Sequence, residues 1–278
     1  MRVITLTTIP PRFDHLRPTL DCLLAQEAQI DHILLYIPKT YRRFPDYDGR
    51  LPDVPDGIEI RRVDEDFGPA SKVLHAVREF RGQDCEILFC DDDRLYPPDW
   101  AQSLLDARAT HPDAAIAPVA FEVNNWLVES RMLRAHQPRA VARDKLTALS
   151  HWKEMLLWHM GLFKKLGPEP PHFRHIKTGG YRDFFQGYGG VLVRPEFFDD
   201  DVFDIPPVYW AVDDIWLSGM LAKAGTPIWV PANLRGGPDC TTAHDSAPLY
   251  KAVIDGADRE QADRACCLYF QQEHGIWL

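Results

Sequence analysis

An α/β fold with a mostly parallel central sheet flanked by helices is what this sequence predicts, on three observations. Strand-like apolar runs alternate with helix-patterned segments over the first 120 residues. One such run, Ile87-Leu88-Phe89-Cys90, ends in three consecutive carboxylates, Asp91-Asp92-Asp93. A chain of 278 residues with 45% hydrophobic and 26% charged content can bury a large core, as one α/β unit or two closely packed halves. Strand–helix alternation means parallel pairing through right-handed crossovers. Ligands of such sheets bind in the crevice beyond the carboxyl ends of the strands.

Arg2 to Thr8 reads as the first strand, starting at once, without the apolar h-region and cleavage site of a signal peptide. Asp14 to Gln26 follows as a helix with Leu16, Leu20, Leu23 and Leu24 on one face. Pro18 falls in its first turn, where a missing N–H costs little. His32 to Ile37 is the second strand, Pro38, Pro45, Pro52 and Pro55 mark a loop, and Ile58 to Val63 is the third strand. Ser71 to Arg81 is helical and leads to the strand that ends in the Asp triplet. A helix near Pro98 to Thr110 then leads to the apolar Ala114 to Val119.

From about Phe121 the periodicity weakens. Thr147 to Phe163 fits a helix with Trp152, Met155, Leu156, His159 and Phe163 on an apolar face. Pro168 to Arg182 reads as a loop whose basic residues include Arg174, Lys177 and Arg182, and its part to Tyr181 is expected to be mobile until a ligand orders it. Gly187-Tyr188-Gly189-Gly190 opens the strand Val191-Leu192-Val193. Val212 to Leu221 is a helix opening with two carboxylates, Ile228 to Val230 is a strand, and residues beyond Ala247 read as mostly helical.

The net charge of −10 argues against a nucleic-acid surface, which needs a basic stripe. No segment approaches the roughly 20 apolar residues of a membrane span. The six cysteines, Cys22, Cys85, Cys90, Cys240, Cys266 and Cys267, show no CxxC pair, which fits a reducing cytoplasm. Cys22 and Cys90 read as core residues, and the Cys266-Cys267 pair as one buried and one half-exposed.

Three adjacent anions repel one another unless a cation or hydrogen-bond donors sit among them. Oxygen ligands at a strand end suit Mg2+ or Mn2+, which keep open positions for phosphate oxygens. The triplet is thus a candidate metal and diphosphate site, with an acidic turn capping the helix near Pro98 as its competitor.

The order of motifs resembles the GT-A glycosyltransferases, most closely the inverting family 2-like bacterial enzymes. Asp91-Asp92-Asp93 matches the DxD motif, with Tyr96-Pro97-Pro98 as its follow-on. Asp66-Phe67-Gly68-Pro69-Ala70-Ser71-Lys72 looks like the loop and helix start that place a basic residue near the nucleotide, and Asp213-Asp214 stands where the family has a Glu-Asp pair. The resemblance implies a Rossmann-like nucleotide-diphospho-sugar transferase fold, with residues 1–120 binding the nucleotide sugar and 121–278 binding the acceptor and carrying out catalysis. It implies nucleoside contacts at Thr7, Thr8 and Arg12, and ribose or loop contacts at Asp91 and Asp92. It further implies nucleotide contacts near Asp66 and Lys72, and Mn2+ or Mg2+ on Asp93, Asp91 and His244, while Gly189 and Gly190 permit close backbone approach to a ligand. Asp214 is then the base that accepts the acceptor's proton, with Asp213 as the alternative. Asp in place of Glu at position 213 departs from the family and leaves that first acid's role open.

Each reading has a structural competitor. Lys72 fits a solvated helix lysine, Arg12 a surface ion pair, Gly189-Gly190 a tight turn, and Asp213-Asp214 the stabilisation of a helix N-terminus. Trp126, Tyr188 and Trp210 fit sugar stacking or a core. The implied partners are a nucleotide sugar, UDP-linked, and a glycan or lipid-linked acceptor. No nucleic acid is implied, and the setting is a cytoplasmic protein with scope for peripheral association at the inner face of the membrane. A sugar-1-phosphate nucleotidyltransferase shares the start of the fold. It would be expected to carry a Gly-rich basic loop where Thr7-Thr8-Ile9-Pro10-Pro11-Arg12 stands. A glycan-binding module without turnover is the non-enzyme alternative.

Overall fold

Val3-Ile4 and Leu34-Leu35-Tyr36-Ile37 are apolar at successive positions, so both faces of their strands need cover. The structure, a computed structural model, describes residues 1–125, 137–142, 149–160, 176–234, 239–249, 256 and 258–278. Along its first half come β1 (Arg2–Thr7), α1 (Arg17–Leu24), β2 (His32–Pro38), β3 (Ile58–Val63), α2 (Ser71–Glu79), β4 (Glu86–Phe89), β5 (Arg94–Leu95), α3 (Trp100–Thr110), β6 (Ala115–Ile116) and β7 (Ala120–Phe121). The second half adds β8 (Val141–Ala142), α4 (Leu149–His159), β9 (Ile176–Thr178), β10 (Gly180–Arg182), β11 (Phe184–Phe185), β12 (Val191–Val193), α5 (Asp213–Lys223), β13 (Ile228–Val230), β14 (Asp239–Cys240) and α6 (Arg259–His274).

An eight-stranded sheet runs in the order β10-β13-β6-β12-β4-β1-β2-β3. β3, β2, β1 and β4 are parallel neighbours. β12 enters antiparallel between β4 and β6, β13 is parallel to β6, and β10 is antiparallel to β13. The sheet is therefore mostly parallel, as expected. Alternate residues feed two cores. Val3, Leu34, Ile87 and Phe89 pack under α2, α5 and α6, while Ile4, Leu6, Leu35 and Leu88 pack under α1 and α3. At the C-terminal end Asp258 and Gln261 form a capping box on α6, which stops at the left-handed Gly275.

Several boundaries differ from the sequence expectation. The first helix begins at Arg17, behind a 3-10 turn over Pro10–His15 that the paired prolines favour, and Pro18 does sit in its first turn. Of the apolar stretch from Ala114, only Ala115–Ile116 pairs as a strand. On α4, Trp152 and Leu156 are exposed rather than forming a buried stripe, and Phe163 lies outside the described residues. The same is true of 168–175 and Trp126. The end of the expected loop is not a loop, since Ile176–Thr178 and Gly180–Arg182 are strands. Cys266 and Cys267 are both buried on α6, whereas Cys22 is only half-buried. Among the described residues no helix is long and apolar enough to cross a membrane.

Candidate active site

β1 and β4 are parallel neighbours, so the loops that follow them leave the same edge of the sheet side by side. Thr8 Oγ1 donates to Asp92 Oδ2 at 2.5 Å, and Arg12 Nη1 donates to Asp92 Oδ1 at 2.5 Å. Arg12 Nη2 also lies 3.3 Å from Asp93 Oδ2. Asp92 is thus a loop-orienting carboxylate, buried and fully engaged. β14 pairs with β5, opposing Cys240 to Arg94, and the Thr241 N–H donates to the Asp93 carbonyl at 2.8 Å. That pairing delivers the turn Thr242–Asp245 to the triplet and sets His244 Nδ1 3.0 Å from Asp93 Oδ2.

Because β12 runs antiparallel to β4, its amino end lies at the strand-end edge that carries the triplet. Gly187 there donates its N–H to Asp214 Oδ1 at 3.0 Å. Lys72, 4% exposed on α2, places its Nζ 2.7 Å from Asp91 Oδ1 and 2.9 Å from Asp213 Oδ2. A Cβ at position 187 would stand 2.6 Å from Lys72 Nζ and 2.7 Å from Asp214 Oδ1, so only glycine fits. Lys72, Asp91, Asp213 and Asp214 line a cavity of about 370 Å³ together with Thr7, Asp66, Tyr188 and Trp210. Thr7 Oγ1 donates to the Tyr36 carbonyl, and the Asp66 carboxylate accepts the N–H groups of Arg42 and Gly68 at 2.8 Å each. Trp210 donates its indole N–H to the Asp66 carbonyl.

Gly189 and Gly190 are not among the residues that line the cavity. Gly189 accepts the Trp100 indole N–H at its carbonyl, and Gly190, at φ 76°, has the Trp100 ring where a Cβ would be. Their smallness serves packing. Lys72 is likewise neither solvated nor free, because two carboxylates already hold it.

The profile of glycosyl transferase family 2 matches residues 12–189. The chain belongs to that family. It is a glycosyltransferase with a GT-A-type sheet, and the match takes in Lys72 and the Asp triplet but stops before Asp213, Asp214 and His244. Among solved structures it is similar to S. aureus TarS 1-349, at 11% identity and a TM-score of 0.44, covering 98% of this chain and 72% of that one. TarS 1-349 in complex with UDP is similar at 12% identity and a TM-score of 0.40, covering 84% of this chain and 58% of that one. No curated protein matches the chain.

The electrostatics of this transferase's cavity divide its carboxylates. Burial first, and then the adjacent Asp213, push Asp214 up to about 8. For Lys72, burial works against the charge, but Asp213, Asp91 and Asp214 outweigh it and raise its pKa well above the usual value. Asp91 is also desolvated, yet Lys72 holds it below the ordinary carboxylate range. Asp92 is raised, burial outweighing Arg12.

Seven aspartates and five Lys or Arg side chains line the cavity, so a diphosphate entering it adds to an excess of negative charge. A divalent cation would offset that excess. Asp93 Oδ1 is buried and accepts no hydrogen bond, although Arg94 Nε lies 3.3 Å from it, and carboxylate oxygen with an imidazole nitrogen is a donor set suited to Mn2+ or Mg2+. Among the described residues no group of three or more His, Cys, Asp or Glu side chains is arranged to hold an ion.

Motif reading passed over Arg43, Gln186, Gly187, Arg259 and Asp263, all at the cavity or against its walls. Signals were present in the Arg42-Arg43 doublet of an acidic chain and in the i,i+4 pair of Arg259 and Asp263, whose Nε and Oδ1 lie 3.4 Å apart. For Gly187 the signal was its place in the Gly-rich strand entry, two residues before the glycines singled out.

Proposed function

We propose that the transferase moves a sugar from a nucleoside-diphosphate donor, UDP-linked, to a hydroxyl of a glycan or lipid-linked acceptor, with inversion at the anomeric carbon. The supporting observation is the meeting in one cavity of the strand-end triplet Asp91–Asp93 and the helix-start pair Asp213–Asp214, bridged by Lys72. Donor and acceptor then take opposite sides of one site. Asp93 and His244, with Asp91 as the further candidate, would hold Mn2+ or Mg2+, and the bound ion would stabilise the negative charge that develops on the departing diphosphate. Asp92, braced by Thr8 and Arg12, keeps the triplet in place.

On the acceptor side Asp213 is the anion that Lys72 pairs, and Asp214 is the proton acceptor. Its raised pKa makes its carboxylate a stronger base than an exposed aspartate. The attacking hydroxyl loses its proton to Asp214 as its oxygen bonds to the anomeric carbon from the face opposite the leaving phosphate. Family membership favours this reading over a nucleotidyltransferase.

A thermal-shift screen of UDP-, GDP- and CMP-sugars with and without Mn2+, followed by assay of sugar release, tests the proposal. Stabilisation and turnover with a UDP-sugar are expected. Stabilisation without any turnover would leave a binding module instead. Calorimetry with UDP should show affinity weakened at least about tenfold by EDTA, a change of roughly 1.4 kcal/mol, and Asp93→Asn should reproduce that loss. Equal affinity with and without metal would remove the metal from the mechanism.

A further inference from the structure

Four of the five Lys or Arg side chains lining the cavity lie against carboxylates. Arg12 meets Asp92 and Asp93, Lys72 meets Asp91 and Asp213, Arg94 meets Asp93, and Arg259 meets Asp263. Arg43 faces no carboxylate among the described residues. Its Nη2 donates to the Ala247 carbonyl at 3.1 Å, and its guanidinium carbon lies 5.4 Å from the centre of the Phe44 ring. Its near charged neighbour is another cation: burial, and then Arg12, both push its pKa down. A half-buried cation beside a like charge is unfavourable until an anion joins it.

The surroundings hold the two arginines in place. Arg12 Nε donates to the Ser246 carbonyl at 3.1 Å, so successive carbonyls of the loop after His244 fix one guanidinium each. Ala247 adopts φ 48°, a left-handed conformation that is uncommon for a residue with a Cβ. Arg43 follows β2, which neighbours β1 on the side away from β4. In sheets of this order the phosphates sit over the central crevice and the nucleoside extends toward the end of the second strand. Ile9, Tyr41 and Phe44 line the cavity on that side.

We propose that Arg43 is a phosphate-binding residue that takes an oxygen of the phosphate nearest the donor's nucleoside, independently of any metal. This rests on the reading of the donor as a nucleoside-diphosphate sugar. A guanidinium presents paired N–H donors to a phosphate, and hydrogen bonds between charged groups are the strong ones.

The test is calorimetry of the full chain with UDP, UMP and uridine, each in Mn2+ and in EDTA, for wild type, Arg43→Gln and Arg43→Lys. Arg43→Gln should weaken UDP and UMP roughly ten- to hundredfold in both buffers and leave uridine unchanged. Arg43→Lys should recover part of the loss, and matching thermal midpoints will show that the variants are folded. Unchanged UDP and UMP affinity in Arg43→Gln overturns the assignment while leaving the donor reading intact. An equal loss for uridine also overturns it, by moving the contact to the nucleoside. A wild-type protein that binds none of the three overturns both.

Discussion

Asp214→Asn should lower turnover by roughly 10²–10⁴-fold, the usual contribution of general-base assistance, and leave UDP affinity nearly unchanged. The amide keeps the shape and loses the proton acceptor, whereas in the proposed function the triplet holds the donor. Asp213→Asn should cost less turnover. A dead Asp213 variant beside an active Asp214 variant would move the base by one residue. With Asp214 raised to about 8, the base is protonated below that pH and ionised above it. Wild-type kcat/KM should therefore climb with pH toward a plateau above about 8, and the residual activity of Asp214→Asn should lack that limb. Stability moves the opposite way. An unfolded aspartate has a pKa near 3.9, so between about pH 4 and pH 8 the native state binds the extra proton and its stability falls as pH rises. Asp214→Asn removes that slope and should gain thermal stability relative to wild type at pH 8–9 compared with pH 5, a difference that melting across pH will read.

Lys72→Met should destabilise the fold by about 3–5 kcal/mol, because it strips a buried cation from two carboxylates and leaves their charge uncompensated. Denaturant midpoints read the loss directly. The deficit should shrink as pH falls and Asp91, held below the ordinary carboxylate range by Lys72, takes up its proton. A loss under about 1 kcal/mol would put the cluster in the class of surface ion pairs, contrary to its burial. Methionine matches the length of lysine's aliphatic stem and lacks its ammonium, so the change removes the charge while keeping most of the packing.

The strand-end triplet was legible because three adjacent carboxylates after an apolar run have few physical explanations. The helix-start pair Asp213-Asp214 was legible in the same way. What joins them was not. Lys72 read as a phosphate contact because nothing local indicates that α2 and α5 pack on the same face of the sheet, where its amine meets Asp213. Gly189 and Gly190 illustrate the converse: a glycine pair signals close approach, but only the packing shows that the approaching group is Trp100. His244 reaches the triplet through the two-residue pairing of β14 with β5, which is too short to leave a periodic signature. The parallel sheet was readable from apolar runs, whereas the antiparallel insertion of β12, which brings Gly187 to the site, was not.

The central claim is that a base at Asp214 directs attack from the face opposite the donor's diphosphate. NMR of the sugar released from an α-linked UDP-sugar in Mn2+, with water as acceptor and spectra taken before mutarotation, reads that claim at the anomeric carbon. The β anomer should appear first, and its rate of appearance should collapse in Asp214→Asn. First appearance of the α anomer, or an undiminished rate in the variant, would contradict it.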